Sequence, residues 1–282
     1  MKLCGPCLKA LGNGQERICL TCKRKLRELL SERGEGEQWP ELWVPEPGEA
    51  VLVAGMSGMG KSTLEKALVS HIMQAGVDVF AFDAMREMSA EGMDWEEAEK
   101  GPLHMQLTVS DLEGDPRDNL AYVQEGAKAG AIAIVPDKLF PDRSERAADF
   151  VRAMRLFIAN KPKGRCVLLI TEAGLLEGEP EAEETLAEIA TTWRKAGVSP
   201  IFDTQSAWAV PVRARDQVRT VLSFKQIGEN DRRALRSLVT PMYSEAVKDL
   251  PKFHCLLADR LDLSPWEDAE AAPEKPGANA AA

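Results

Sequence analysis

The sequence predicts an α/β fold: a mostly parallel central sheet with flanking helices, preceded by a small cysteine-rich module. Three observations carry that prediction. The stretch Gly55-Met56-Ser57-Gly58-Met59-Gly60-Lys61-Ser62-Thr63 follows a short apolar run and opens a helical pattern. Further apolar runs of strand length end in polar residues and alternate with helical periodicities. Two C-x-x-C pairs, Cys4/Cys7 and Cys19/Cys22, precede them all. The implied organisation is a four-cysteine module over residues 1–33, a Gly/Pro-rich linker over 34–48, the α/β domain over 49–263, and an Ala/Pro/Glu-rich tail over 264–282 expected to be disordered.

Gly55 to Ser62 completes G-x-x-x-x-G-K-[ST], the phosphate-binding loop. The chemistry demands those residue types. Glycines let backbone N–H groups turn inward around a phosphate chain, Lys61 supplies positive charge to the β and γ phosphates, and Ser62 offers a hydroxyl to Mg²⁺. The flanks agree: Glu49 to Ala54 reads as a buried strand, and Leu64, Leu68 and Ile72 recur at helical spacing until Gly76. A nucleoside triphosphate would sit at that helix's positive N-terminus, within a cradle of Gly55, Met56, Ser57, Gly58, Met59, Gly60, Lys61, Ser62 and Thr63.

Net charge is −10, from 35 basic and 45 acidic residues, so the bulk surface repels a polyanion and any nucleic-acid contact must be local. No run approaches the ~18 apolar residues of a membrane span, and the N-terminus is a cysteine cluster rather than a signal peptide. The expectation is a soluble cytoplasmic protein, with no transmembrane segment. Cys4, Cys7, Cys19 and Cys22 supply four soft ligands suited to tetrahedral Zn²⁺. C-G-P-C alone also resembles a thioredoxin redox site, but that site requires a preceding strand, and only three residues precede Cys4. In the same segment Lys2, Lys9, Arg17, Lys23, Arg24, Lys25, Arg27 and Arg33 outnumber Glu16, Glu28 and Glu32, which suits DNA, an acidic partner or a solvated helix face.

Along the chain, 77–83 reads as a second strand whose terminal Asp83 falls on the phosphate-loop edge. Residues 84–129 read as acidic and irregular. Ala131 to Val135 is another strand, followed by a capping-box helix from Asp142 and Glu145. Cys166 to Thr171 has the form of a Walker B strand, and Glu172 at its tip could polarise an attacking water as a general base. Ser199 to Asp203 forms a strand closing on Thr204-Gln205, where an amide can hydrogen-bond a γ phosphate. Val218 to Phe224 and Lys252 to Ala258 read as strands, with a short helix from Asp231 between them. Basic residues accumulate from Arg213 to Arg236.

The phosphate loop, the apolar run ending in Thr171-Glu172, and Arg194-x-x-Gly197 followed by Thr204-Gln205 resemble, in that order and spacing, the FtsK/HerA family of P-loop ATPases. The likeness covers about residues 49–258. It implies a RecA-like core, ATP as substrate and pumping of double-stranded DNA. Carried over, Lys61 and Ser62 bind phosphates and Mg²⁺, Glu172 is the catalytic base, Gln205 senses the γ phosphate, and Arg194 is the arginine that acts in trans, with Arg215 and Arg219 as fallbacks. Family members assemble as rings, commonly hexamers. The compact single motor domain looks most like a viral genome-packaging ATPase, which adds a capsid vertex or portal protein as partner and the host cytoplasm or virion as location. One departure stands out: Thr171 replaces the family's usual Asp, so Mg²⁺ binding could rest on Ser62 and Asp83. That departure keeps open a non-hydrolysing nucleotide switch, and a virion-assembly or secretion ATPase is a further alternative.

Overall fold

The computed structural model describes residues 44–86, 105–125, 130–161 and 163–259. The four cysteines of the N-terminal module and the C-terminal tail lie outside them. The described chain forms β1 (Ala50–Ala54), α1 (Lys61–Gln74), β2 (Asp78–Phe82), β3 (Met105–Thr108), α2 (Val109–Gly114), α3 (Pro116–Glu125) and β4 (Ala131–Val135). It continues through α4 (Arg143–Asn160), β5 (Cys166–Ile170), α5 (Pro180–Thr191), β6 (Val198–Thr204), α6 (Val212–Arg215), β7 (Val218–Ser223), α7 (Glu229–Leu238), α8 (Pro241–Ala246) and β8 (Leu256–Asp259).

All eight strands join one sheet in the order β3-β4-β2-β5-β6-β1-β7-β8, parallel except for β8, which runs antiparallel to β7. Strands β1, β4, β5 and β6 are buried along their whole length because helices cover both faces of the sheet. On one face Val51, Val53, Val79, Ala81, Val167, Leu169 and Ile201 pack with Leu64, Leu68, Val69 and Ile72 of α1. On the other, Leu52, Phe80, Phe82, Leu168, Ile170 and Phe202 meet α4 and α5. There Phe80 tilts against Phe157 at 5.0 Å and Phe82 meets Phe150 edge-on at 5.1 Å, geometries in which ring quadrupoles attract. The capping box at Asp142 and Glu145 starts α4 where the spacing predicts it.

Two expectations need correction. Residues 84–129 are not irregular throughout: they contain β3, α2 and α3, and Thr108 caps α2 with a capping box to Asp111. The strand expected over Lys252 to Ala258 begins only at Leu256, because Phe253 takes a left-handed conformation (φ +63) in the turn before it.

Candidate nucleotide site

Parallel pairing places the carboxyl ends of β1, β6 and β5 side by side, so the segments that follow them share one rim of the sheet. Gly55 leaves β1 with its N–H donating to the Thr204 carbonyl (3.1 Å). A Cβ at Gly55 would stand 2.4 Å from that of Phe224, so only glycine lets the loop turn there. Gly60 caps α1 at φ +106, a conformation strained for other residues. Between them Met56 is half-buried, and Ser57 and Gly58 are exposed. Ser62 and Thr63 follow Lys61 in the first turn of α1, Ser62 half-buried and Thr63 exposed.

Lys61 is only 6% exposed, and an ammonium held out of water requires counter-charge. Its Nζ lies 3.9 Å from Glu172 Oε1 and 3.8 Å from Asp203 Oδ1. The Gln205 amide nitrogen donates to the same Glu172 oxygen at 2.8 Å. Lys61, Glu172 and Gln205, drawn from three segments of chain, are therefore in one cluster. Glu172 adopts a left-handed backbone (φ +49), and its N–H donates to Asp203 Oδ2 at 3.2 Å. The Gln205 carbonyl accepts from the buried Gln226 amide at 3.0 Å, which ties the β6 tip to the segment after β7. One residue on, the Ser206 hydroxyl and the Trp208 N–H both donate to Asp231 Oδ1, linking this loop to α7.

Asp203 and Glu65 belong to the cluster and were missed by sequence reasoning. Asp203 pairs in register with Val53 and so points to the α1 face, where Glu65, one helical turn after Lys61, meets it. A signal was present: Glu65 is a carboxylate on the apolar stripe of Leu64, Leu68 and Ile72. Burial raises the Asp203 pKa to about 6, and burial together with the Asp203 charge raises Glu65 well above the carboxylate range. Glu65 Oε1 and Asp203 Oδ1 lack hydrogen-bond partners. A retained proton reduces the negative charge that a triphosphate would otherwise meet.

The pair has a consequence for stability. Because the Asp203 pKa is raised on folding, the contribution of its protonated form is fully present below about pH 4 and is lost as pH rises through about 6. Asp203→Asn preserves an acceptor for the Glu172 N–H and removes that titration. In urea melts without nucleotide, the parent chain should lose on the order of 2 kcal/mol more than the variant between pH 4 and pH 7. Parallel stability curves would contradict a shared proton.

Asp83 corrects an expectation. It lies on the expected rim, but fully buried and two strands from β6, with Oδ1 3.4 Å from the Thr171 hydroxyl. Sealed there, it is not placed to receive Mg²⁺. Thr171 is structural at this point, since its Oγ1 also accepts from the Ala84 N–H at 3.0 Å. Thr171→Asp would set two buried carboxylates against each other. A loss of about 3 kcal/mol in a denaturant melt is expected, and a variant as stable as the parent would refute this packing.

Arg194 lies elsewhere. It precedes β6 in a 3₁₀ turn (Trp193–Ala196), at the amino edge of the sheet, where a Cβ on Gly48 would stand 2.8 Å from its own Cβ. Seven residues of β6 separate that edge from Thr204, a rise of about 20 Å. Arg194 therefore cannot reach the Lys61 cluster of its own chain. Of the fallbacks, Arg215 is 5% exposed, donates to the Ala207 and Trp208 carbonyls and lies 5.3 Å from the Trp208 ring centroid. It is a strut for that loop and not a free cation. Arg219 pairs with Glu46 and Asp259.

Solved structures match this architecture. The genome-packaging NTPase B204 of Sulfolobus turreted icosahedral virus 2, determined with ATPγS, superposes with a TM-score of 0.52 at 19% identity, over 78% of this chain and 95% of that one. The DNA-packaging ATPase B204 of Sulfolobus turreted icosahedral virus gives 0.53 at 19% identity, over 77% and 95%. The chain shares the fold of these P-loop NTPases. VirB4 of Thermoanaerobacter pseudethanolicus gives 0.55 at 14% identity, over 74% and 86%. No protein-family model matches the sequence, and neither does any curated protein. Among the described residues no helix is long and apolar enough to cross a membrane.

Proposed function

We propose that this chain is an ATP-hydrolysing motor for double-stranded DNA, of the kind that packages viral genomes, and that it works as a ring. One observation carries the reading: Glu172 lies between the Lys61 ammonium and the Gln205 amide at the mouth of a phosphate loop. The likeness to B204, solved with nucleotide analogues, supports it.

The residues present fit the ligands. The loop offers a glycine-shaped cradle, Lys61 has carboxylates that phosphates can replace as partners, and Ser62 would hold Mg²⁺ in the manner of P-loop enzymes. No cage of three acidic, His or Cys ligands occurs among the described residues, and a Mg²⁺ held by one hydroxyl, waters and phosphates needs none. Held there by Ser62, Mg²⁺ would supply positive charge against the charge that develops on the phosphates. Glu172 accepts a proton from the water that attacks the γ phosphate in line, and Lys61 with Arg194 of a neighbouring copy stabilises the charge on the equatorial oxygens. Gln205 contacts the γ phosphate, and its loss is passed through Gln226 and through the Ser206–Asp231 link to α7. DNA would be held by exposed cations such as Arg213 lining the ring.

ATP turnover measured with and without long duplex DNA tests this function. Strong stimulation is the expected result. Turnover that ignores DNA would favour an assembly or secretion ATPase, the reading that the likeness to VirB4 keeps in view. No turnover at all would leave a nucleotide switch. Cys4, Cys7, Cys19 and Cys22, outside the described residues, are assigned to one Zn²⁺. Metal analysis of the full chain should then find about one zinc per chain, lost when Cys4 and Cys7 become serine.

A further inference from the structure

We propose that Phe253 is the platform on which the base of the bound nucleotide stacks; this rests on reading residues 55–63 as the nucleotide's cradle. Phe253 sits in the turn before β8, far along the chain from the loop, yet its N–H donates to the Met59 carbonyl at 3.0 Å. Its ring reaches the loop's last glycine, with Cδ1 2.7 Å from where a Gly60 Cβ would stand. Despite that contact Phe253 is 61% exposed. An aromatic residue anchored by its backbone but left open to water offers a π-face that a ligand can take.

The backbone points the same way. Phe253 holds φ +63, which is uncommon for any residue with a Cβ and is retained only where the surroundings impose it. Nothing in the turn itself needs a bulky ring there, since a glycine would adopt that conformation without strain.

Sheet order fixes which end of the nucleotide faces Phe253. The groups that would act on the γ phosphate, Glu172 and Gln205, follow β5 and β6 on one side of β1. Phe253 leads into β8, beyond β7 on the other side. A triphosphate lying across the loop with its γ end toward Glu172 therefore extends its nucleoside toward Phe253. The Lys252 ammonium, 4.7 Å from the ring centroid, is the ring's present neighbour, and an exposed cation–π pair of this kind is weak enough to yield to a stacked base.

The test is calorimetric titration of the full chain with ATPγS and, separately, with inorganic tripolyphosphate, which has the charges but no base. Phe253→Ala should weaken ATPγS binding by about tenfold to a hundredfold and leave tripolyphosphate unchanged. Phe253→Trp should restore the nucleotide. Phe253→Gly, free of strain at φ +63, should repeat the alanine result and so separates a missing ring from a disturbed turn. Unchanged ATPγS affinity, or equal weakening of both ligands, overturns the platform while sparing the cradle. A parent chain that binds neither ligand overturns the cradle and the platform with it.

Discussion

Glu172→Gln should lower steady-state ATP turnover by about 10²–10⁴-fold and leave nucleotide affinity close to that of the parent chain. The amide keeps the carboxylate's shape and can accept from Gln205 through its oxygen, so the 2.8 Å contact at the mouth of the loop survives. Lys61 keeps a counter-charge in Asp203, 3.8 Å away. What disappears is the ability to take a proton from water. The measurement pairs phosphate release with calorimetric ATPγS binding, because only the pair separates chemistry from binding. If turnover persisted, the base would have to be another group. Asp203 is a neighbouring carboxylate, but it is 3% exposed and its Oδ2 already accepts from the Glu172 N–H. If binding collapsed along with turnover, Glu172 would be a structural counter-ion for Lys61.

The elements legible in the sequence are those in which local pattern and tertiary demand agree. β1, the glycine loop and α1 combine a strand-length apolar run, a fixed motif and a helical stripe, and each appears where expected. β5 and β6 were readable as buried runs ending in polar residues, and the parallel register then brings Glu172 and Gln205 together. β3 was not readable. It is a four-residue strand at the sheet edge beside β4, in a stretch without strong alternation, and its pairing comes from the tertiary structure. β8 starts late because a left-handed residue interrupts the run that composition alone would extend. Asp83 illustrates the opposite error. The topology put it on the right rim, but whether a carboxylate at a strand tip faces the ligand or the Thr171 hydroxyl depends on packing that no spacing encodes. Glu65 and Asp203 show the remaining limit. Each looks ordinary in isolation, one in a helix and one in a strand, and only their meeting beside Lys61 makes them a proton-sharing pair.

Arg194→Ala should reduce turnover by about 10³–10⁵-fold, and its mixture with Lys61→Ala should recover activity that neither variant has alone. The argument is positional. Arg194 is exposed at the amino edge of β6, next to Gly48, while Lys61, Glu172 and Gln205 occupy the carboxyl edge. Within one chain about 20 Å of strand intervenes, well beyond the reach of an arginine side chain. Arg194 can therefore serve only a nucleotide bound by another copy, whose carboxyl rim would have to face this amino rim. Such a head-to-tail contact closes into a ring when its rotation permits. In an equal mixture, Lys61→Ala chains donate their intact Arg194 to the intact loops of Arg194→Ala chains. If interfaces act independently and assort at random, about one in four is complete, and turnover should approach a quarter of the parent rate. Strict coupling around a ring would lower that fraction without abolishing the gain over either pure variant. Full turnover by Arg194→Ala alone would remove the arginine from the reaction, and a mixture no better than its components would remove the shared site.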